Sequence, residues 1–160
     1  SNRVDGPITD FATDPRVLGI PNDPNSMIYV SKLITLENAA SSLKVFLDAY
    51  VATTSDVRLF YALDQDVSAK DTRFIPFPGH NNIDDYGYVI DQGKSNGTPD
   101  LPIVRTDQYT QTPAVNQFRE LKFTADHLEP FTKFRLKLIG TSDNQAIIPQ
   151  FRNLRSIALA

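Results

Sequence analysis

Apolar and polar side chains alternate with a period of two along two neighbouring stretches, and this period restricts the possible folds more than any other feature of the sequence. The apolar positions of the two stretches are Leu43, Val45, Leu47, Ala49 and Val51, then Val57, Leu59, Tyr61 and Leu63. Successive side chains of a β-strand point to opposite faces, whereas a helix repeats about every 3.6 residues. The pattern therefore predicts two strands with one buried face each, joined through the polar residues 53–56 as an antiparallel hairpin.

Shorter alternating runs extend this strand pattern along the chain. They cover residues 27–36, 118–123, 131–139 and 154–159, and a turn is expected at residues 37–42. Several strands, long turns and no internal repeat are typical of an all-β fold, so we predict an antiparallel β-sandwich of jelly-roll, galactose-binding-like type with long loops. The predicted inner layer consists of Leu43, Val45, Leu47, Val57, Leu59, Leu136 and Leu138.

The 160 residues have the length of one domain. Residues 1–26 are rich in Pro, Asp and Asn, and we predict an N-terminal extended arm that packs on the sandwich. Residues 27–160 are predicted to form a single sandwich domain that contains a long loop region at residues 64–115, where the alternation fades. Long loops often carry function, so any specific site is expected in this region.

The composition disfavours several classes of function. Without Cys, the chain has no disulfides, thiolate metal sites or cysteine nucleophiles. A net charge of −3 and the lack of a long apolar run give no reason to expect nucleic acid or a membrane as a partner. His80 and His127 follow no metal-ligand spacing, and no nucleophile motif accompanies the serines. We predict no catalytic residues, and a hydrolase ranks last among the functions considered.

Aromatic and acidic side chains share the loop region and supply the candidate site. Tyr86 and Tyr88 follow Asp84 and Asp85, and the same region contains Phe74, Phe77 and Tyr109. Aromatic rings beside Asp and Asn stack on and hydrogen-bond sugars, but they also anchor protein interfaces. Because Trp, the best stacking residue, is missing, we favour loops that pack on the sandwich or against a partner.

The acidic residues of this region are also candidate ligands for a metal ion. Asp84, Asp85, Asp91 and Asp100 supply the hard oxygen ligands that Ca²⁺ accepts, although they do not match an EF-hand loop. Asp and Asn are common in solvated turns for a different reason, since they bond to their own backbone. We favour turn residues and expect no resident cofactor, with Ca²⁺ as the less favoured alternative. The sequon at residues 96–98 indicates an exposed turn.

Several short segments of the sequence carry a family resemblance. They lie at residues 9–17, 29–32, 36–38, 77–79, 81–82, 131–142 and 149–160. Together they resemble a C-terminal-type domain of virion structural proteins of cyanophages and related marine contractile-tailed bacteriophages. The resemblance covers nearly the whole chain and carries no chemical signature.

This resemblance implies a non-enzymatic structural or assembly module of a bacteriophage virion, in the tail, the baseplate or the capsid surface. The implied partners are other virion proteins and copies of the chain itself, and the protein would be made in the host cytoplasm and located in the virion. The alternative is a carbohydrate-binding β-sandwich that attaches to host-surface glycans, with Tyr86, Tyr88, Asp84 and Asp85 as candidate ligand-binding residues.

Overall fold

A computed structural model describes residues 26–64, 73–86, 88, 90, 95–143 and 147–160. Its strands are β1 (Ser26–Val30), β2 (Ile34–Ala40), β3 (Ser42–Tyr50), β4 (Ser55–Leu63), β5 (Ile75–Pro76), β6 (Arg119–Ala125), β7 (Phe131–Ser142) and β8 (Gln150–Leu159). Within the described residues, single turns of 3₁₀-helix lie at His80–Asn82 and Val115–Gln117. Of the predicted N-terminal arm, residues 1–25 lie outside the described part, and Ser26 begins β1.

The strands form two antiparallel sheets packed together, which confirms the predicted all-β sandwich. The larger sheet has the order β1-β7-β4-β5, with β2 also paired to β7, and the smaller sheet has the order β6-β3-β8. β7 is the central strand of the larger sheet, and β3 is the central strand of the smaller one. The connections β3–β4, β6–β7 and β7–β8 each pass from one sheet to the other.

The core lies between the sheets and consists of the alternating apolar positions. All seven side chains of the predicted inner layer are buried, which confirms that prediction. Across the sheets they are joined by the buried rings of Phe77, Phe123, Phe131 and Phe134. Burial of each large apolar side chain stabilises the fold by about 1.5–3 kcal/mol, so this layer supplies the main driving force for folding.

The predicted hairpin of β3 and β4 is wrong. β3 pairs with β6 and β8, whereas β4 pairs with β7 and β5 in the other sheet. Residues 51–54 therefore cross the sandwich instead of turning within one sheet. Alternation does not distinguish the two arrangements, because a strand buries one face whether its sequence neighbour lies beside it or opposite it.

The turn predicted at residues 37–42 is also wrong, since β2 continues to Ala40 and the bend is confined to Ser41. The Ser41 N–H donates to the Leu159 carbonyl and its own carbonyl accepts from Leu128, so this one residue is bonded on both sides as the chain changes sheets. The predicted strand 27–36 is split at residues 31–33, where the Ser31 hydroxyl oxygen accepts from the Leu136 N–H at 2.8 Å. β1 and β2 therefore share one edge of β7.

The described parts of the long loop region are bonded to the sandwich at several points. Gly97 donates to the Phe77 carbonyl and accepts from the Leu59 N–H of β4. Further along, Thr106 forms a parallel bridge with Ala52, two residues after the end of β3. These backbone bonds hold the loop region against both sheets.

Candidate functional site

The segment that contains the predicted site residues folds back on itself as a narrow ribbon. The Ile90 N–H donates to the Asn82 carbonyl at 2.8 Å, and the Asp84 N–H donates to the Tyr88 carbonyl at 2.9 Å. Tyr86 lies between these paired positions, at the far end of the ribbon. We call the four described residues Asp84, Asp85, Tyr86 and Tyr88 the tyrosine turn.

The Asp84 carboxylate stabilises this turn. Its Oδ1 accepts hydrogen bonds from the backbone N–H groups of both Tyr86 and Tyr88, each at 2.9 Å. Asp side chains commonly stabilise turns through such bonds to the backbone that follows them. Asp84 therefore has a structural role, as the turn-residue interpretation predicted, and one of its two oxygens is already engaged.

The root of the tyrosine turn is attached to the hydrophobic core. The side-chain amide of buried Asn82 donates to the Pro78 carbonyl at 2.7 Å, and the Asn82 N–H donates to Gly79. Directly before them, the buried ring of Phe77 makes edge contacts with the rings of Tyr61 and Phe123, at centroid distances of 4.9 and 5.9 Å. This core anchor fixes where the turn leaves the sandwich.

The loop aromatics have different surroundings. Phe77 belongs to the core, and Phe74 packs on the outer face of the larger sheet against Phe60 and Ile139. Tyr86 and Tyr88 are 86% and 68% exposed. The structure thus separates these four aromatic residues into two anchoring rings and two displayed rings, a distinction that residue type does not encode.

Tyr109 is a third anchoring ring. Its centroid lies 5.5 Å from that of Tyr50, and its hydroxyl donates to the Ile148 carbonyl at 3.2 Å. It therefore joins the late part of the loop region to the sandwich.

The predicted acidic cluster does not come together as one site. Asp84 and Asp85 belong to the tyrosine turn, Asp100 is bonded to Thr124 of β6, and Asp91 lies outside the described residues. Burial raises the pKa of Asp100, although its hydrogen bonds with Thr124 act to lower it. Within the described ranges, no three His, Cys, Asp or Glu side chains are grouped so that they could hold a metal ion.

The sequon is packed into the loop and is not the exposed turn that was predicted. Asn96 Oδ1 accepts from both the N–H and the hydroxyl of Thr98, and Gly97 and Thr98 are buried. The two histidines lie apart: His80 is in the first 3₁₀ turn, and His127 is exposed after β6 with a φ of 57°.

A polar cleft of about 370 Å³ at one end of the sandwich was missed by the sequence analysis. Its lining includes Tyr50, Arg105, Asp107, Asn116, Gln117 and Arg119. Arg105 also holds the loop in place, because it donates to the Ala52 and Ser55 carbonyls and pairs with Asp56 at 3.2 Å. These residues come from separate segments without a common motif, so no sequence signal unites them.

Comparisons with protein-family models, curated proteins and solved structures find no match to this chain. No helix in the described part of the chain is long and apolar enough to cross a membrane. The geometry of the tyrosine turn is therefore the main basis for a functional interpretation.

Proposed function

We propose that this domain is a non-enzymatic structural and assembly module, and that it contacts another protein chain through the tyrosine turn. The observation that carries this proposal is the display of two exposed tyrosines, Tyr86 and Tyr88, by one turn whose backbone is bonded to Asp84. The partners are other proteins of an assembly and copies of the domain itself.

Physical chemistry supports a binding role for this turn. Tyrosine is enriched among the residues that dominate interface energies, because it buries a large ring and retains a polar hydroxyl. It also has few rotatable bonds, so little entropy is lost when it is held in place. Since the turn is already ordered by Asp84 and by the Asn82 anchor, binding has little backbone left to order.

The positions of the perturbed titratable groups support a non-enzymatic role. Burial raises the pKa of Tyr61, which packs on Phe77 in the core, and lowers the pKa of Lys137, whose Nζ lies over the Phe74 ring. Asp100 is bonded to Thr124. Perturbed groups often mark catalytic sites, but each of these three lies in a contact that holds a loop or a sheet together.

The family resemblance extends the proposal to a bacteriophage virion. The segments that carry the family resemblance include residues 77–79 and 81–82, which form the root of the tyrosine turn. A virion module packs against symmetric neighbours, and an anchored turn with displayed aromatic rings suits that role.

Hydroxyl-radical footprinting tests this proposal on two samples, the isolated chain and purified particles of the phage that encodes it. Exposed aromatic rings oxidise readily, so we expect Tyr86 and Tyr88 to be oxidised in the isolated chain and protected several-fold in particles. Leu101, which is 75% exposed on another part of the loop region, is the internal comparison. Equal oxidation of the tyrosines in both samples would overturn the assembly role, and particles that lack the polypeptide would overturn the virion assignment.

A carbohydrate-binding function is the second candidate, because the two exposed rings belong to the same turn as Asp84 and Asp85. Stacking of a sugar on such a ring needs this exposure. A glycan array with and without Ca²⁺ tests it, using Tyr86→Ala and Tyr88→Ala, with Tyr29→Ala on β1 as the matched control. The assembly proposal expects no reproducible binding, whereas binding that is lost only in the turn variants would establish the glycan function instead.

A further inference from the structure

The polar cleft at one end of the sandwich is a second candidate site, and it shares no residue with the tyrosine turn. Its volume of about 370 Å³ lies within the usual range for small-molecule sites. The walls come from three places in the chain: the end of β3, the loop at residues 104–107, and residues 116, 117 and 119 around the start of β6. A ligand in this cleft would therefore contact segments that only the fold brings together.

Hydrogen bonds hold the wall segments in place. The buried side chain of Tyr50 donates from its hydroxyl to the Gln108 carbonyl at 3.2 Å, and the same oxygen accepts from the Thr110 N–H at 2.9 Å. The Thr106 N–H donates to the Val51 carbonyl at 2.9 Å, which fixes the loop beside the end of β3. Because these walls are already ordered, little further ordering is needed when a ligand enters the cleft.

The charged side chains of the cleft favour an anion. Two of the lining residues, Arg105 and Arg119, are cationic and one, Asp107, is anionic, so the lining carries a net charge of +1. The whole chain, in contrast, has a net charge of −3. A ligand with one negative charge therefore matches this cleft.

Arg119 is the cation that is available to such a ligand. It is the first residue of β6, and its backbone is paired opposite Ala49 of β3. Arg58, Arg105 and Arg155 each form an ion pair with an acidic side chain, whereas no acidic side chain among the described residues pairs with Arg119. A planar guanidinium binds a carboxylate through two parallel hydrogen bonds. The cleft thus offers an unpaired guanidinium that is suited to a carboxylate.

The remaining polar groups of the lining are suited to hydroxyls. Gln117 Oε1 accepts from the Ala114 N–H at 2.8 Å, so the NH₂ group of this side chain is the part left to bind a ligand. The Asp107 carboxylate can only accept hydrogen bonds, and it has no cationic partner among the described residues. Asn116 can both donate and accept. A ligand that also carries hydroxyls would satisfy Asp107, which a bare carboxylate would not.

We infer that the cleft binds a sugar acid, a monosaccharide-sized molecule with several hydroxyls and one carboxylate. Arg119 binds the carboxylate, and Asp107 accepts from a hydroxyl. A phosphate group fits less well, because its second negative charge at neutral pH is repelled by Asp107. A neutral sugar fits less well because it gives Arg119 no anionic partner. The same chemistry occurs in a free sugar acid and in the terminal residue of an acidic glycan.

Amide NMR spectra of the full chain, titrated with D-glucuronate, test this inference. We expect saturable shifts at residues 50–51, 104–107 and 116–119. Glucose, which lacks the carboxylate, and inorganic phosphate should each bind at least about tenfold more weakly. The absence of saturable glucuronate shifts at these residues, equal binding of glucose, or tighter binding of phosphate would overturn the inference.

A matched pair of charge variants tests the role of Arg119. Arg119→Gln removes the guanidinium from the cleft, whereas Lys133→Gln removes the same charge from an exposed position of β7 outside the cleft. We expect Arg119→Gln to weaken glucuronate binding by about tenfold or more, and Lys133→Gln to change it by less than about twofold. Arg119→Lys keeps the charge and should restore only part of the affinity, because an ammonium cannot form the paired hydrogen bonds. Equal losses in Arg119→Gln and Lys133→Gln would overturn the inference.

Methyl β-D-glucuronoside distinguishes the two sources of the ligand, because its anomeric oxygen is blocked as it is in a glycan. Binding as tight as that of the free acid would assign the cleft to a glycan terminus, and loss of binding would assign it to the free acid. Glycan binding through this cleft is lost in Arg119→Gln and kept in Tyr86→Ala, which separates it from binding at the tyrosine turn.

Discussion

Both oxygens of the Asp100 carboxylate accept hydrogen bonds from a single residue, Thr124. Oδ1 accepts from the Thr124 N–H at 2.9 Å, and Oδ2 accepts from its hydroxyl at 2.6 Å. The Asp100 N–H in turn donates to the Lys122 carbonyl at 2.8 Å. The loop therefore covers part of the free edge of β6, and it shields backbone groups that could otherwise pair with another chain.

Replacement of Asp100 by Ala should destabilise the domain by about 1–3 kcal/mol, because the buried Thr124 hydroxyl and N–H lose their partner. Urea unfolding measures this loss. Asp107→Ala, in an exposed part of the same loop region, should change the free energy of unfolding by less than about 0.5 kcal/mol. Equal effects of the two variants would show that the Asp100–Thr124 bonds add little.

The same carboxyl should make stability depend on pH. Burial raises the pKa of Asp100 above its ordinary value of 3.8, so the folded state keeps this proton to a higher pH than the unfolded state does. Its contribution is fully present below 3.8 and is lost as the pH rises through the folded pKa. Asp100→Asn should remove this component when unfolding midpoints of variant and wild type are compared across the acidic range. Parallel curves would contradict the assignment.

Lys137 should produce a pH dependence in the alkaline range. Burial lowers its pKa from 10.5, so the folded state loses this proton first and stability rises with pH from the folded pKa up to 10.5. Lys137→Met should abolish this rise, measured by urea unfolding below pH 10. Burial raises the pKa of Tyr61 above 10.0, so its effect has the opposite sign and begins above that range. If the free energy of unfolding rises with pH equally in Lys137→Met and the wild type, the prediction is wrong.

Two glycines should respond differently to the addition of one methyl group. Gly79 has a φ of 89°, and a Cβ there would overlap the Thr98 hydroxyl and lie 2.5 Å from Asn96 Oδ1. Gly79→Ala should therefore cost at least about 1–2 kcal/mol. At Gly140 the nearest atoms to a Cβ lie 3.4 Å away, so Gly140→Ala should change stability by less than about 1 kcal/mol. Thermal unfolding of both variants checks this order, and the reverse order would refute it.

Truncation of a core leucine should be far more costly than truncation of an exposed one. Leu59 is fully buried between the sheets, and Leu59→Ala should cost about 2–5 kcal/mol through lost burial and a cavity. Leu101 is 75% exposed, and Leu101→Ala should cost less than about 0.5 kcal/mol. Similar losses in chemical denaturation would mean that Leu59 is not part of the folding core.

The candidate site was only partly predictable. Residue types located Tyr86 and Tyr88 in the loop region, and the turn role of Asp84 was expected because Asp bonds to nearby backbone groups. The sequence did not predict that Phe77 is buried and Tyr86 is exposed, because both lie in the same polar, turn-rich segment. Their separation depends on contacts with Tyr61 and Phe123, which are distant in sequence.

The sequence by itself determined that the two stretches with the longest alternation form β3 and β4, and which side of each is buried. Leu43, Val45 and Leu47 had to share one face, because side chains alternate along any strand whatever its neighbours are. Only the tertiary structure decided that β3 and β4 lie in different sheets, and that Asp100 reaches Thr124. The physical reason is that alternation is a local property of one strand. Strand pairing, in contrast, has many possible partners, and which of them pair depends on the packing of the whole core.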